Sequence, residues 1–424
     1  MAFTICFYED GKYRNFFPLT QLRPVYTLRA GIVPLFLRAR RYFPDSEITL
    51  SCRDQLSGRL AGDWRDFPVN IIKRQDESGL LMLNGRIRDY GNLPQLVEQA
   101  RISTIFESDG ETVAIYLTPD WAQAVPRVAT TTEYGNRLKT ANSSVTGANT
   151  TATVYNFCWE IMTDIEAEIA ADFRFLVPGL PGGQNIKIHD GVDWVNQDDI
   201  YLNSDVEIFP QAVIDASTGP VYIDRNTKVE SHAVIQGPTY IGANSVVVAG
   251  KIASSSIGHT CRVGGEVEHS VFQSYVNKYH AGFIGHSYVG SWVNFGAMTT
   301  NSDLKNNYSD IRVSLNSEQI DTGSNKIGSF IGDHTKFGIG TLLNTGINIG
   351  VGCNLFGGTL ISDREVPPFS WGATGDYSRY EYDKAIETAQ KVAGRRNCDL
   401  SHGEIALLQA IYRQETTDDG VLAF

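Results

Sequence analysis

The sequence has no stretch of about 18 consecutive apolar residues, so it offers no helix to cross a bilayer. The residues after Met1 lack a basic segment followed by an apolar one, and no signal peptide is expected. The six cysteines, Cys6, Cys52, Cys158, Cys261, Cys353 and Cys398, never fall in C-x-x-C spacing. Most sit in apolar or strand-like surroundings, which reads as reduced thiols in a cytoplasmic protein. Basic residues are outnumbered, 36 Lys and Arg against 48 Asp and Glu, for a formal net charge of -12. Such a chain repels nucleic acid and anionic membrane at long range, so neither is expected as a partner. The first strand is followed by neither G-x-G-x-x-G nor G-x-x-x-x-G-K-[ST], which excludes a Rossmann fingerprint and a P-loop there. No histidine pair has the spacing of H-E-x-x-H and no close Cys/His cluster occurs, so no structural zinc site is expected.

What is present divides into two halves. At 424 residues the chain is too long for one ordinary core. In the first half, short apolar runs (residues 3–8, 47–52, 69–73, 80–84 and 112–117) alternate with polar or helix-like stretches. This pattern predicts a layered α/β domain with a partly parallel sheet. Residues 26–43 are apolar at helical spacing, interrupted by Gly31 and Pro34. The loop after the first strand carries Lys12, Arg14, Arg23 and Arg29, and ligands bind at the carboxyl ends of strands in such sheets. Guanidinium groups there could grip phosphate oxygens in bidentate fashion, or the loop could be an ordinary solvated surface. A Thr-, Ser- and Asn-rich excursion spans 126–152, and residues 155–176 read as an amphipathic helix closing the domain before PGLPGG at 178–183.

The second half repeats every six residues. Ile223, Val229, Ile235, Ile241 and Val247 are six apart, and so are Ile331, Phe337, Leu343, Ile349 and Leu355. A short strand and a tight turn take six residues, and three such units close a triangular coil. The repeated apolar residue points inward and stacks on its neighbours above and below. The repeat is clearest from about Val206 to Trp371, and the period alone does not fix its hand. It breaks between Thr299 and Asn325, a polar stretch that reads as a binding loop extruded from the prism. Residues 378–396 and 401–413 read as helices, the second with Ser401 as N-cap and Glu404 three residues later. The domains are therefore placed at 1–200, 201–372 and 373–424.

Residues 265–312 and 331–357, with FPLTQLRPVYTLRAG at 17–31, resemble the GlmU-like family of sugar nucleotidyltransferases. That family is an alternative branch of the bifunctional N-acetylglucosamine-1-phosphate uridyltransferase/glucosamine-1-phosphate N-acetyltransferase. The resemblance implies a nucleotidyltransferase-like α/β domain (Rossmann-like, GT-A type), then a left-handed parallel β-helix of hexapeptide repeats and C-terminal helices. It implies a homotrimer of prisms, with Trp292, Phe295 and Phe330 placed to face a neighbour. It implies nucleotidyl transfer to a sugar 1-phosphate and acetyl transfer from acetyl-CoA to an amino-sugar phosphate, in nucleotide-sugar biosynthesis. Sugar phosphate, nucleoside triphosphate and acetyl-CoA are the corresponding partners. His280 matches the family's catalytic base and Asn294 the asparagine of its N-[IF]-G-A motif. Lys278, Asn301, Asp303 and Lys305 match its substrate-binding region, with Arg14, Arg23 and Arg29 in the N-terminal domain.

Two departures stand out. Phe283 replaces an aromatic hydroxyl expected three residues after the histidine. The position matched to the Mg2+-binding aspartate lies near Asn84-Gly85-Arg86, which is not acidic. Mg2+ in the N-terminal domain and its metal ligands are therefore left open. Two other readings remain: a sugar-nucleotide-binding protein that has lost catalysis, and a nucleotidyltransferase whose β-helix only oligomerises it.

Overall fold

A computed structural model describes residues 3–72, 78–124 and 146–414. The N-terminal domain is built on a six-stranded mixed sheet. Phe3–Tyr8 lies at its centre, parallel to Glu47–Leu50 on one side and to Gly79–Asn84 on the other. Glu111–Leu117 and Thr104–Ser108 continue the sheet antiparallel, and Thr146–Asn149 closes it in parallel. In the run at 69–73, Val69 bridges Leu50, and position 73 lies outside the described residues. Over residues 26–43, expected as a helix, the chain instead has two short 3-10 segments, Val25–Thr27 at its start and Leu35–Arg41. Pro24 and Pro34 begin them, and proline cannot donate in a helix interior. The stretch 155–176 splits into Cys158–Thr163 and Ile165–Leu176. The excursion at 126–152 lies outside the described residues as far as 145.

From Lys187 onward the chain winds into a parallel β-solenoid with three faces. The first coil pairs with the second at Ile188–Ile208, Trp194–Ile214 and Leu202–Ile223, so the coils begin ahead of the clear repeat. Face one runs through Lys228–Val229, Asn277–Lys278, Asn294–Phe295 and Lys336–Phe337. Face two includes Val213–Asp215, Ala233–Gln236, Phe283–Gly285 and, further along, Thr300–Asn301 with Leu342–Leu343. Face three includes Val221–Ile223, Thr239–Ile241, Tyr288–Val289, Ser329–Ile331 and Ile347–Ile349. Inward residues from all three faces form one continuous apolar core.

Face three is buried on both sides. Its outward residues Tyr222, Tyr240, Val271, Tyr288 and Phe330 pack against Phe16, Val25, Trp159 and Ile165 of the N-terminal domain. The domains therefore share an apolar seam. The interruption at 299–325 leaves the coil as a hairpin, Arg312–Leu315 against Glu318–Asp321. It lies down on the N-terminal domain, where Leu315 packs with Tyr13 and Phe17.

The C-terminal helices Tyr382–Gly394 and His402–Gln414 lie along the side of the solenoid. The Ser401 hydroxyl accepts from the Glu404 amide at 3.1 Å, as the capping pattern predicts. Gly403 permits close approach to the helix Ser57–Asp63, since a Cβ there would sit 3.0 Å from the Arg59 nitrogen. Among the described residues, no helix is long and apolar enough to cross a membrane.

Candidate active site

The corner between faces one and two carries His280. It follows the strand Asn277–Lys278 and is exposed, with Tyr279 edge-on to its ring at 5.5 Å between centroids. Met298 lies on the same corner one coil on, its amide bonded to the Ala281 carbonyl, and Ile339 follows one coil further. Met298 is 59% and Ile339 76% exposed, so an imidazole stands beside an open apolar strip. Among the described residues the His280 ring makes no hydrogen bond.

Neighbouring histidines are engaged. His286 shares a proton with Asp303 at 2.7 Å and stacks on His269 at 4.7 Å. His269 also reaches Glu166 on the N-terminal domain at 3.1 Å. Burial raises the Asp303 carboxyl, but the bond and charge of His286 and the charge of Lys326 together hold the group below its ordinary value. His334 is buried against Glu404 at 2.9 Å. In Glu404 burial again raises the pKa, while Arg59 and His334 bring it down to about 2.

Asn294 lies on the outer side of face one, and its Oδ1 accepts from Asn277 at 2.9 Å. That contact links it to the strand leading to His280. Lys278 and Asn301 point the other way. Lys278 takes the inward position between Val263 and Phe295 and is 1% exposed, and its Nζ donates to the carbonyls of Gly264 and His280 at 3.1 and 2.7 Å. Burial pushes its pKa down to about 8. Asn301 takes the inward position beside Leu343, and its amide bonds both backbone groups of Gly285 and the Ser287 hydroxyl. Both therefore sit inside the prism, with their polar atoms satisfied by backbone at the corners. Lys305 is half-buried in the loop and bonds the Asp310 carbonyl and the Ser309 hydroxyl.

The buried lysine predicts a pH signature. In the unfolded chain Lys278 holds its proton up to about 10.5, whereas in the fold it loses it near 8. Between those values the unfolded state binds more protons, so stability rises with pH. The gain is on the order of 2–3 kcal/mol across the window. Wild-type protein should gain thermal stability relative to Lys278→Met between pH 8 and 10. Parallel melting curves for the two would show that the amine is not buried.

In the N-terminal domain the arginines do not converge. Arg14 is half-buried, its Nε 3.4 Å from the Tyr13 hydroxyl. Arg23 crosses to the solenoid, bonding Asp333 at 2.9 Å and Ser291 at 3.1 Å. Arg29 bonds the Ile32 carbonyl and lies over the Tyr240 ring. Where the phosphate loop was expected, the carboxyl end of the central strands carries a closed network instead. Asp10 accepts from Asn84 and from Arg86, each at 2.9 Å, and Arg86 also bonds Glu111 at 2.8 Å. Lys12 bonds Glu111 as well. Arg86 is fully buried. This donor set does not suit Mg2+, because both carboxylates are already neutralised by fixed cations and the third position is an amide. Among the described residues no three His, Cys, Asp or Glu side chains are grouped to hold a metal ion.

A mixed α/β domain is thus followed by a parallel β-solenoid of hexapeptide-like coils, with a histidine exposed at one corner, and by C-terminal helices. Residues 5–179 match the family model described as sugar nucleotidyl transferase. The chain is 30% identical over 97 residues to a bifunctional sugar-1-phosphate nucleotidylyltransferase/acetyltransferase of Sulfurisphaera tokodaii, covering 23% of this chain and 24% of that protein. It is 32% identical over 135 residues to the bifunctional protein GlmU of Streptococcus thermophilus, covering 26% and 29%. The chain thus spans about a quarter of the length of the curated relatives it matches. Among solved structures, a UDP-N-acetylglucosamine acyltransferase from Campylobacter jejuni aligns with a TM-score of 0.31 at 14% identity, covering 53% of this chain and 95% of that one.

Proposed function

We propose that the solenoid transfers an acetyl group from acetyl-CoA to the amine of an amino-sugar phosphate, with His280 as the general base. The observation that carries this reading is the state of the His280 ring, exposed on a corner and unbonded while His269, His286 and His334 are tied to carboxylates. In the reaction the substrate nitrogen attacks the thioester carbon, and the C–S bond breaks to release CoA thiolate. The proton leaving nitrogen passes to the imidazole. Asn294, whose Oδ1 accepts from Asn277, would turn its amide N–H to the oxyanion. Asp303 and Lys305 would contact the sugar phosphate through the loop, and Arg14 would contact nucleotide phosphates in the N-terminal domain. Separate assays of acetyl transfer and of pyrophosphate release from nucleoside triphosphates test the two activities.

A second reading is favoured by the Asp10–Arg86–Glu111 network. It fills the place of a nucleotide-phosphate loop with internal ion pairs, as expected of a domain that binds a sugar nucleotide without transferring it.

The active unit is proposed to be a homotrimer, but not through the aromatic residues first considered. Trp292 is covered by the C-terminal helices, Phe295 lies in the solenoid core and Phe330 lies in the domain seam. The exposed apolar strip of Met298, Ile339, Leu342 and Leu360 is the surface left for a second copy, and it borders His280. Ile339→Asp should convert trimer to monomer in light scattering and remove acetyl transfer with it. Wild-type protein that is monomeric at micromolar concentration would sink the assembly.

A further inference from the structure

A cleft of about 610 Å3 opens where three parts of the chain meet. Its walls are the segment Leu22–Arg29 with the helix Ser57–Asp63, the solenoid corner bearing His259, Tyr275 and Trp292, and the segment Cys398–Glu404. Two of its arginines are spent on carboxylates: Arg23 on Asp333, and Arg59 on Asp333 and Glu404.

Arg29 differs from them. It is 9% exposed, its Nε is buried without a hydrogen-bond partner, and no carboxylate lies within ion-pair distance among the described residues. Its guanidinium carbon lies 5.1 Å over the Tyr240 ring, and the Tyr240 hydroxyl is already given to Asp224 at 3.1 Å. The neighbouring His259 is neutral, because burial and then the charge of Arg29 push its imidazole down to about 4. A buried cation with no counter-ion is costly, and the fold retains it at the edge of a space large enough for a ligand. Opposite it, Tyr275 and Trp292 stack at 3.9 Å and 10°. Both take the left-handed position, φ 57° and 64°, that Asn244, Thr260 and His334 also hold at this corner, so the repeat's own turn sets one ring above the other.

We propose that this cleft binds a small phosphate ester, with the phosphate on Arg29 and the remainder against the Tyr275–Trp292 wall. The Arg29 guanidinium offers a charge-assisted donor to a phosphate oxygen, and the ring edges of the Tyr275–Trp292 stack take the less polar part of the molecule. The site is separate from the His280 corner and does not depend on acetyl transfer. A ligand seated there touches the N-terminal domain, the solenoid and the C-terminal segment at once. Its binding therefore stabilises their arrangement as well as filling the space.

The test is calorimetry on the full chain with inorganic phosphate, a hexosamine 1-phosphate and UTP, read in parallel by tryptophan fluorescence, since Trp64 and Trp292 both line the cleft. At least one phosphate ester should bind with a Kd below about 1 mM. The sugar phosphate and nucleotide arms tell which kind of ester is preferred. Arg29→Gln should weaken binding about tenfold or more, since a charge-assisted contact is lost. Because Arg29 also supports its own loop, a second variant is needed. Gly62 lines the cleft and a Cβ there meets no atom within 4 Å, so Gly62→Phe starts its side chain in open space at the cleft wall and substitutes no arginine. It should block binding while the melting temperature of the free protein stays near wild type. Binding by none of the three probes overturns the proposal, and so does binding unchanged in Gly62→Phe. A ligand lost in Arg29→Gln but kept in Gly62→Phe belongs to the N-terminal domain alone and also overturns it.

Discussion

Replacing His280 with alanine is expected to lower kcat for acetyl transfer by about 10²–10⁴, the range for losing a positioned general base. The fold should not change. His280 is exposed on a corner, and the coils above and below it are held by inward residues such as Val267, Ile284 and Phe295. Its carbonyl accepts from Lys278, but that bond uses backbone and survives the substitution. Affinity for acetyl-CoA should change little, because the imidazole acts on the amine proton rather than on the thioester. Loss should therefore appear in kcat and not in KM. The acidic limb of the pH–rate profile should flatten, because the group whose protonation stops the reaction is gone. Asn294→Ala should cost less, roughly 10–100-fold, below the range for a dedicated oxyanion donor. If His280→Ala acetylates at the wild-type rate, the base lies elsewhere. His286 is then the first choice, since Asp303 already orients its ring through Nδ1. If the wild type acetylates no amino-sugar phosphate, the binding reading replaces the enzymatic one.

The solenoid was legible because its inward positions recur every six residues and a strand-plus-turn unit consumes that number. The same phase carried more information than its apolar members showed. Counting six from Phe272 reaches Lys278 and then Ile284, and six from Phe295 reaches Asn301. Both polar residues are inward where the count puts them, with their heads turned to backbone carbonyls and amides at the corners. The family resemblance placed them among the ligand contacts, and the register shows why they are buried. The strands of the first domain were legible from their apolar runs. The 3-10 segments after Pro24 and Pro34 were not, because apolar spacing does not distinguish one turn type from another. Face three shows a further limit. Tyr222, Tyr240 and Tyr288 look like amphipathic surface in a repeat, yet they are buried by a domain that precedes them in sequence. The hairpin at 312–321 was read correctly as leaving the coil, but its landing place on Tyr13 and Phe17 depends on the same docking. The Arg29 cleft was invisible for that reason, being assembled from three distant segments.

Arg23→Ala is expected to destabilise the protein by about 3–5 kcal/mol, as removal of one partner of a buried ion pair does. Arg23 and Asp333 are 310 residues apart, and their side chains meet at 2.9 Å with the aspartate almost fully buried. Asp333 also accepts from the Ser291 amide at 3.1 Å and lies 3.5 Å from Arg59, which in turn holds Glu404 at 3.2 Å. The network thus joins the N-terminal domain, the solenoid and the last helix. Loss of Arg23 leaves the Asp333 carboxylate with the Ser291 amide and the longer Arg59 contact, too little to offset the desolvation of a buried charge. Asp333→Ala alone should cost a similar amount, because it strands Arg23. The double substitution should cost clearly less than the sum, since neither charge is then left alone. Acid should act on the same junction. Glu404 is held at about 2 against an ordinary 4.5, so its contribution is present above about 4.5 and is lost as pH falls toward 2. Denaturant unfolding of the four proteins at pH 7, repeated on the wild type at pH 3, would measure all of this. Single and double variants that lose the same stability additively would show that the pair contributes nothing of its own, and that the apolar seam of face three holds the domains together unaided.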